Sequence, residues 1–98
     1  MSNVLRVSEA ASLGIHSAAL IAGSDGDALT TAVMAEKLVA SEAHLAKVLQ
    51  GLVRAGLLTS TRGPRGGFRL AREAMKITLL DVYEAIEGPF RAERCLLG

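Results

Sequence analysis

Between Lys47 and Arg72 the chain carries six basic residues, Lys47, Arg54, Arg62, Arg65, Arg69 and Arg72, and no acid, although its formal net charge is only +1. Such a run is either a solvated charged face or a surface that meets phosphate oxygens. The residues around the cations favour the second reading. His44, Lys47, Gln50 and Arg54 recur three or four apart, the spacing that places side chains on one face of a helix. Gln50 matches the paired N6 and N7 groups of adenine, His44 and Lys47 are long enough for base edges, and Arg54 suits a phosphate. Just ahead stands Ser41, where a hydroxyl and first-turn amides can hold a phosphate at a helix start. Downstream, Arg62 and Arg65 flank a Gly-Pro pair in RGPRGG, with Arg69 two residues after it. Arginines lifted on such a tip suit a narrow A·T minor groove or its phosphates.

Two helices and a hairpin are needed to position these groups. Periodicity predicts the second helix over Glu42 to Ala55, with Leu45, Val48, Leu49, Leu52 and Val53 inward and Gly56 ending it. A supporting helix, capped by Thr30 or Thr31 and running to Leu38, turns Met34, Ala35 and Leu38 inward. About three residues separate the pair, the spacing of a helix-turn-helix corner. Leu57 to Thr61 reads as a strand, RGPRGG as a turn, and Phe68-Arg69-Leu70 as the returning strand, with Phe68 and Leu70 pointing opposite to Arg69. Before this unit, Ser8 caps a helix to Ala22 that faces a core with Ala11, Ile15, Ala18, Ala19 and Ile21. His16 is read there as a packed or hydrogen-bonded core histidine, and Gly14 as a close helix crossing. After the hairpin, Thr78 caps a helix from Leu79 to Glu87 with Leu79, Val82, Tyr83 and Ile86 buried. The expectation is a mainly α fold with a small β-hairpin, a winged helix-turn-helix. One domain spans 1–98, with its core in 8–88 and an apolar-containing tail, 89–98, available for a dimer contact.

Composition narrows the classes further. Half the residues are hydrophobic but only Tyr83, Phe68 and Phe90 are aromatic, so the core is small and rich in Ala, Leu and Val, and an oligomer would relieve its marginal stability. Cys95 is the only cysteine, so no intrachain disulfide can form and an oxidising compartment is not implied. The apolar run from Ala10 to Ala22 is too short to span a bilayer and lacks the features of a leader, so a cytoplasmic location is expected. The Gly23–Asp27 loop offers two carboxylates without the further ligands of a calcium site, and reads as an ordinary exposed loop. RGPRGG lacks the Gly-Lys-Ser/Thr ending and following helix of a nucleotide loop. No nucleophile stands beside a base, so an enzyme is not expected.

The helix pair together with AGLLTSTRGPRGGFRLA and ITLLDVYEAIEG resembles the Rrf-two family of bacterial winged-helix transcription regulators, of the IscR/NsrR/CymR type. The resemblance extends over nearly the whole chain. It implies that Ser41 to Arg54 is the recognition helix and Arg62 to Gly67 the wing, whose leading arginine enters the minor groove. It also implies a dimer, acting mostly as a repressor on a palindromic operator in double-stranded DNA. Cluster-binding members have three cysteines after the last of these helices; here Cys95 resembles the first of them and stands alone. One thiolate per protomer falls short of the four ligands of a [2Fe–2S] cluster, so no cofactor and no metal are expected. Cys95 is then an ordinary thiol or a redox switch. The rival readings are a winged helix used as a protein-interaction module and a truncated regulator acting through a partner.

Overall fold

The computed structural model describes residues 8–64 and 66–88. Arg65, Cys95 and the tail 89–98 lie outside the described residues. The elements run α1 (Glu9–Ala22), α2 (Thr31–Leu38), α3 (Glu42–Arg54), β1 (Leu58–Thr61), β2 (Gly67–Leu70), a single 3-10 turn (Ala74–Lys76) and α4 (Leu79–Glu87). This is a helix-turn-helix followed by a two-stranded wing, the expected winged helix. The 3-10 turn was not expected.

Each helix starts where a side-chain oxygen can take an unpaired amide. Ser8, Thr30, Ser41 and Thr78 accept from the amides of Ala11, Val33, His44 and Asp81. At α4 the cap is reciprocal, because the Asp81 carboxylate accepts from the Thr78 amide at 2.9 Å. Such caps contribute about 1 kcal/mol each. The Ser8 hydroxyl also donates to the Glu87 carboxylate, tying the start of α1 to the end of α4. The two helices are therefore antiparallel, and they cross at Gly14. A Cβ on Gly14 would stand 3.3 Å from Val82 Cγ1, 3.4 Å from Ile86 Cγ1 and 3.5 Å from Val48 Cγ1. The missing side chain brings α1, α3 and α4 to one point, as the sequence led us to expect.

The core is built on α3. Leu45, Leu49 and Leu52 are fully buried and pack with Ile21, Met34, Ala35, Leu57, Leu58, Phe68 and Val82. Burying each leucine is worth about 1.5–3 kcal/mol. Three inward assignments need correction. In α1 the fully or nearly buried positions are Ala11, Gly14, Ser17 and Ile21, whereas Ala19 is exposed. His16 is exposed too, its Nδ1 2.8 Å from the Ser12 carbonyl oxygen, so it is hydrogen-bonded but not in the core. In α4, Leu79 is 68% exposed because it sits in the first turn, at the open side of a groove between α1 and α4. The wing root carries a surprise of its own. Leu29 forms an isolated antiparallel bridge with Phe68, so the loop before α2 adds a rung beside β2.

α2 and α3 end in the same hydrogen-bond pattern at different conformational cost. At α2 the Ala40 amide donates to the Ala35 carbonyl at 2.9 Å and the Val39 amide to Glu36 at 3.3 Å. At α3 the Leu57 amide donates to Leu52 and the Gly56 amide to Val53, both at 3.0 Å. Both are Schellman closures, which put one residue in the left-handed region. Glycine takes that role at Gly56 (φ 81°); at the helix-turn-helix corner it falls to Val39 (φ 54°), a β-branched residue 91% exposed. Left-handed backbone costs a side-chain-bearing residue about 1–2 kcal/mol. A second unfavourable feature is Ser17, fully buried with its hydroxyl lacking a partner among the described residues. Val39→Gly should raise stability by about 1 kcal/mol, since relief of strain exceeds glycine's extra chain entropy. Ser17→Ala should also stabilise by about 1 kcal/mol by removing an unsatisfied buried hydroxyl. Urea unfolding of each variant, read as a shift of midpoint at unchanged slope, checks both.

Candidate nucleic-acid interface

Burial of the leucine stripe fixes the rotation of α3 and hence what it shows to solvent. Lys47, Gln50 and Arg54 are exposed on the opposite side and, with Ala46, line one shallow groove. Lys47 and Arg54 have no ion-pair partner among the described residues, and neither has Arg62. No described residue therefore neutralises these three cations. Ala46 escaped the sequence reading because it has no polar group; its place one turn before Gln50 is the signal that could have found it.

Ser41 and His44 sit elsewhere. They line a polar cleft at the start of α3, shared with Glu9, Ser12 and His16 of α1 and with Lys37 to Ala40 at the corner. Ser41 is exposed, and its Oγ accepts from the His44 amide at 3.2 Å, capping α3. His44 is half-buried. Lys37 and His16 join this cleft.

In the wing, β1 and β2 pair Leu58 with Leu70, Thr59 with Arg69, Ser60 with Phe68 and Thr61 with Gly67. Arg62 leaves β1 exposed at the start of the turn. Gly67 is required where the hairpin meets the preceding loop: it has φ 139°, and a Cβ there would lie 2.6 Å from the Leu29 carbonyl oxygen. Arg69 is half-buried and its Nε donates to the Gly26 carbonyl at 2.9 Å, so a residue expected at DNA is tied to the loop. Arg72, last of the basic run, lies over the end of α3, where its guanidinium would be 3.7 Å from a Cβ on Gly56. The six cations thus divide. Lys47, Arg54, Arg62 and Arg72 are exposed, Arg69 is tied to the loop before α2, and Arg65 lies outside the described residues.

A helix-turn-helix that shows unpaired cations and an amide on its second helix, with an arginine-led wing beside it, is the architecture of a winged-helix DNA-binding domain. Residues 7–97 match the family described as "Rrf2: Iron-dependent Transcriptional regulator". The chain belongs to the Rrf2 family, a family of transcriptional regulators and not of enzymes. It is 36% identical over 83 residues, 85% of its length and 53% of the other's, to BadM of Rhodopseudomonas palustris, a candidate HTH-type transcriptional regulator. It is 34% identical over 74 residues to the HTH-type transcriptional regulator IscR of Cereibacter sphaeroides, covering 76% of this chain and 48% of that one. The chain thus spans about half the length of these curated relatives. Among solved structures, it is similar to CymR, the global cysteine regulator of B. subtilis, with TM-score 0.80, 30% identity, and coverage of 87% of this chain and 67% of that one. It is likewise similar to T. potens IscR, with TM-score 0.78, 30% identity, and coverage of 94% and 71%.

Proposed function

We propose that this chain is a sequence-specific, double-stranded-DNA-binding transcriptional regulator, acting in the cytoplasm as a homodimeric repressor on a palindromic operator. The observation that carries this is the exposed Lys47-Gln50-Arg54 face of α3 beside a wing that opens with exposed Arg62. In this reading α3 lies in the major groove, with Gln50 on adenine and Lys47 and His44 at base edges. Ser41 and the first-turn amides hold one phosphate, and Arg54 another. Arg62 and Arg65 reach the adjoining minor groove. Arg69 supports the wing from its root.

The dimer is supported by the apolar groove between the end of α1 and the start of α4. Ile15, Ala18, Ala22, Ile77, Val82 and the 68% exposed Leu79 line it. Two copies related by a two-fold axis would present two α3 helices to half-sites about one helical turn apart. No described helix is long and apolar enough to cross a membrane.

Salt-titrated binding to duplexes selected from a random pool tests the assignment. Arg62→Ala should weaken binding to every sequence and lower the salt slope by about one phosphate. Gln50→Ala should cost about 1–3 kcal/mol at a single base position and relax the preference there. Equal loss on all sequences for Gln50→Ala removes it from the base-reading set, and binding without sequence preference overturns the regulator reading.

A further inference from the structure

A hairpin of two four-residue strands is marginally stable by itself and cannot set its own direction. Something outside it must. On one face Leu58 and Phe68 enter the core. At the root the Leu29 amide donates to the Phe68 carbonyl at 3.1 Å, and the Phe68 amide to the Leu29 carbonyl at 2.7 Å. These bonds lie at one rung, about which the strands can still tilt. Arg69 supplies a second attachment off that rung, through Nε to Gly26, three residues before Leu29. The loop receiving it is itself braced. Ser24 Oγ lies 2.7 Å from the carbonyl oxygens of both Ile21 and Asp27, and the Asp27 amide donates to Ser24 at 3.1 Å. The same loop runs into Thr30, the cap of α2, so whatever holds the wing to it also holds the wing to the helix-turn-helix.

We propose that Arg69 is a positioning residue: its bond to the Gly26 carbonyl fixes the wing against the helix-turn-helix, so that Arg62 reaches DNA while α3 occupies the major groove. The proposal rests on the DNA-binding reading above. It differs from a direct contact in its dependence on geometry instead of charge. A phosphate can still be met by lysine as a point charge, whereas the Gly26 carbonyl is met by a donor at a fixed place on the arginine stem.

The test uses the full chain, with Arg69→Lys and Arg69→Gln made alone and together with Arg62→Ala, on a duplex recovered from a random pool. Amide exchange at Leu29 and Phe68 is measured on each protein without DNA. Both single variants should weaken binding about tenfold, yet by less than about twofold in the Arg62→Ala background, because Arg69 acts through Arg62. Exchange at Leu29 and Phe68 should quicken in both, while Leu45 in α3 keeps its protection, which also certifies the fold. Wild-type binding by Arg69→Lys, or losses that add to those of Arg62→Ala, would make Arg69 a charge contact and overturn the proposal. Unchanged exchange at Leu29 and Phe68 would remove the latch. If Arg62→Ala alone binds like the wild type, the wing assignment fails and the proposal with it; the exchange data distinguish that failure from failure of the latch itself.

Discussion

α3 has two duties that cannot be separated. Its leucines at 45, 49 and 52 form the centre of the core, and the chain has too few large side chains elsewhere to replace them. Because that stripe must be buried, the helix has one rotation about its axis, and the direction of Lys47, Gln50 and Arg54 follows from it. Aim is thus a by-product of packing. The glycine seats tighten the arrangement further: Gly14 lets α1 come up to Val48, and a Cβ on Gly51 would be 3.6 Å from Ile86 of α4. A helix held on its whole inner side by close contacts loses little freedom when it meets a ligand, and a preorganised surface binds with less entropic opposition.

The wing is held by different means. Its core-facing residues are few, so its placement depends on backbone pairing at Leu29 and on the Arg69 side chain. The molecule therefore joins a reading helix fixed by hydrophobic burial to a wing fixed by hydrogen bonds. Burial is non-directional and tolerant of repacking; hydrogen bonds are directional and fail abruptly when a donor moves. In the proposed reading, the same chain positions two groups on one ligand with unlike physical tolerances.

How much of this was legible in the sequence follows from how local each signal is. Caps at Ser8, Thr30, Ser41 and Thr78, the Gly56 stop and the α3 stripe are written within a few residues of where they act, and they were readable. The Gly14 crossing was readable as a cost that needed a reason. α1 misled because it is rich in alanine and weakly sided, so neither Ala19 nor Ser17 betrayed its face and His16 was turned inward on paper. Leu79 misled because a helical stripe extends formally into the first turn even where the neighbouring helix leaves an open groove. Arg69 was least legible. Its partner is a backbone carbonyl 43 residues away, in a loop of glycines and aspartates, and a carbonyl leaves no mark on residue type. The Leu29 bridge was hidden for the same reason.

Val39 at the corner has a consequence for the lifetime of the fold. A penalty of about 1–2 kcal/mol carried only by the closed form multiplies the fraction of molecules open at a given moment by about tenfold. Cellular proteases sample that fraction when opening and closing are fast relative to cleavage. One exposed, β-branched residue between two helices thus bears on how long each copy of the protein persists, and so on how quickly its level follows changes in synthesis.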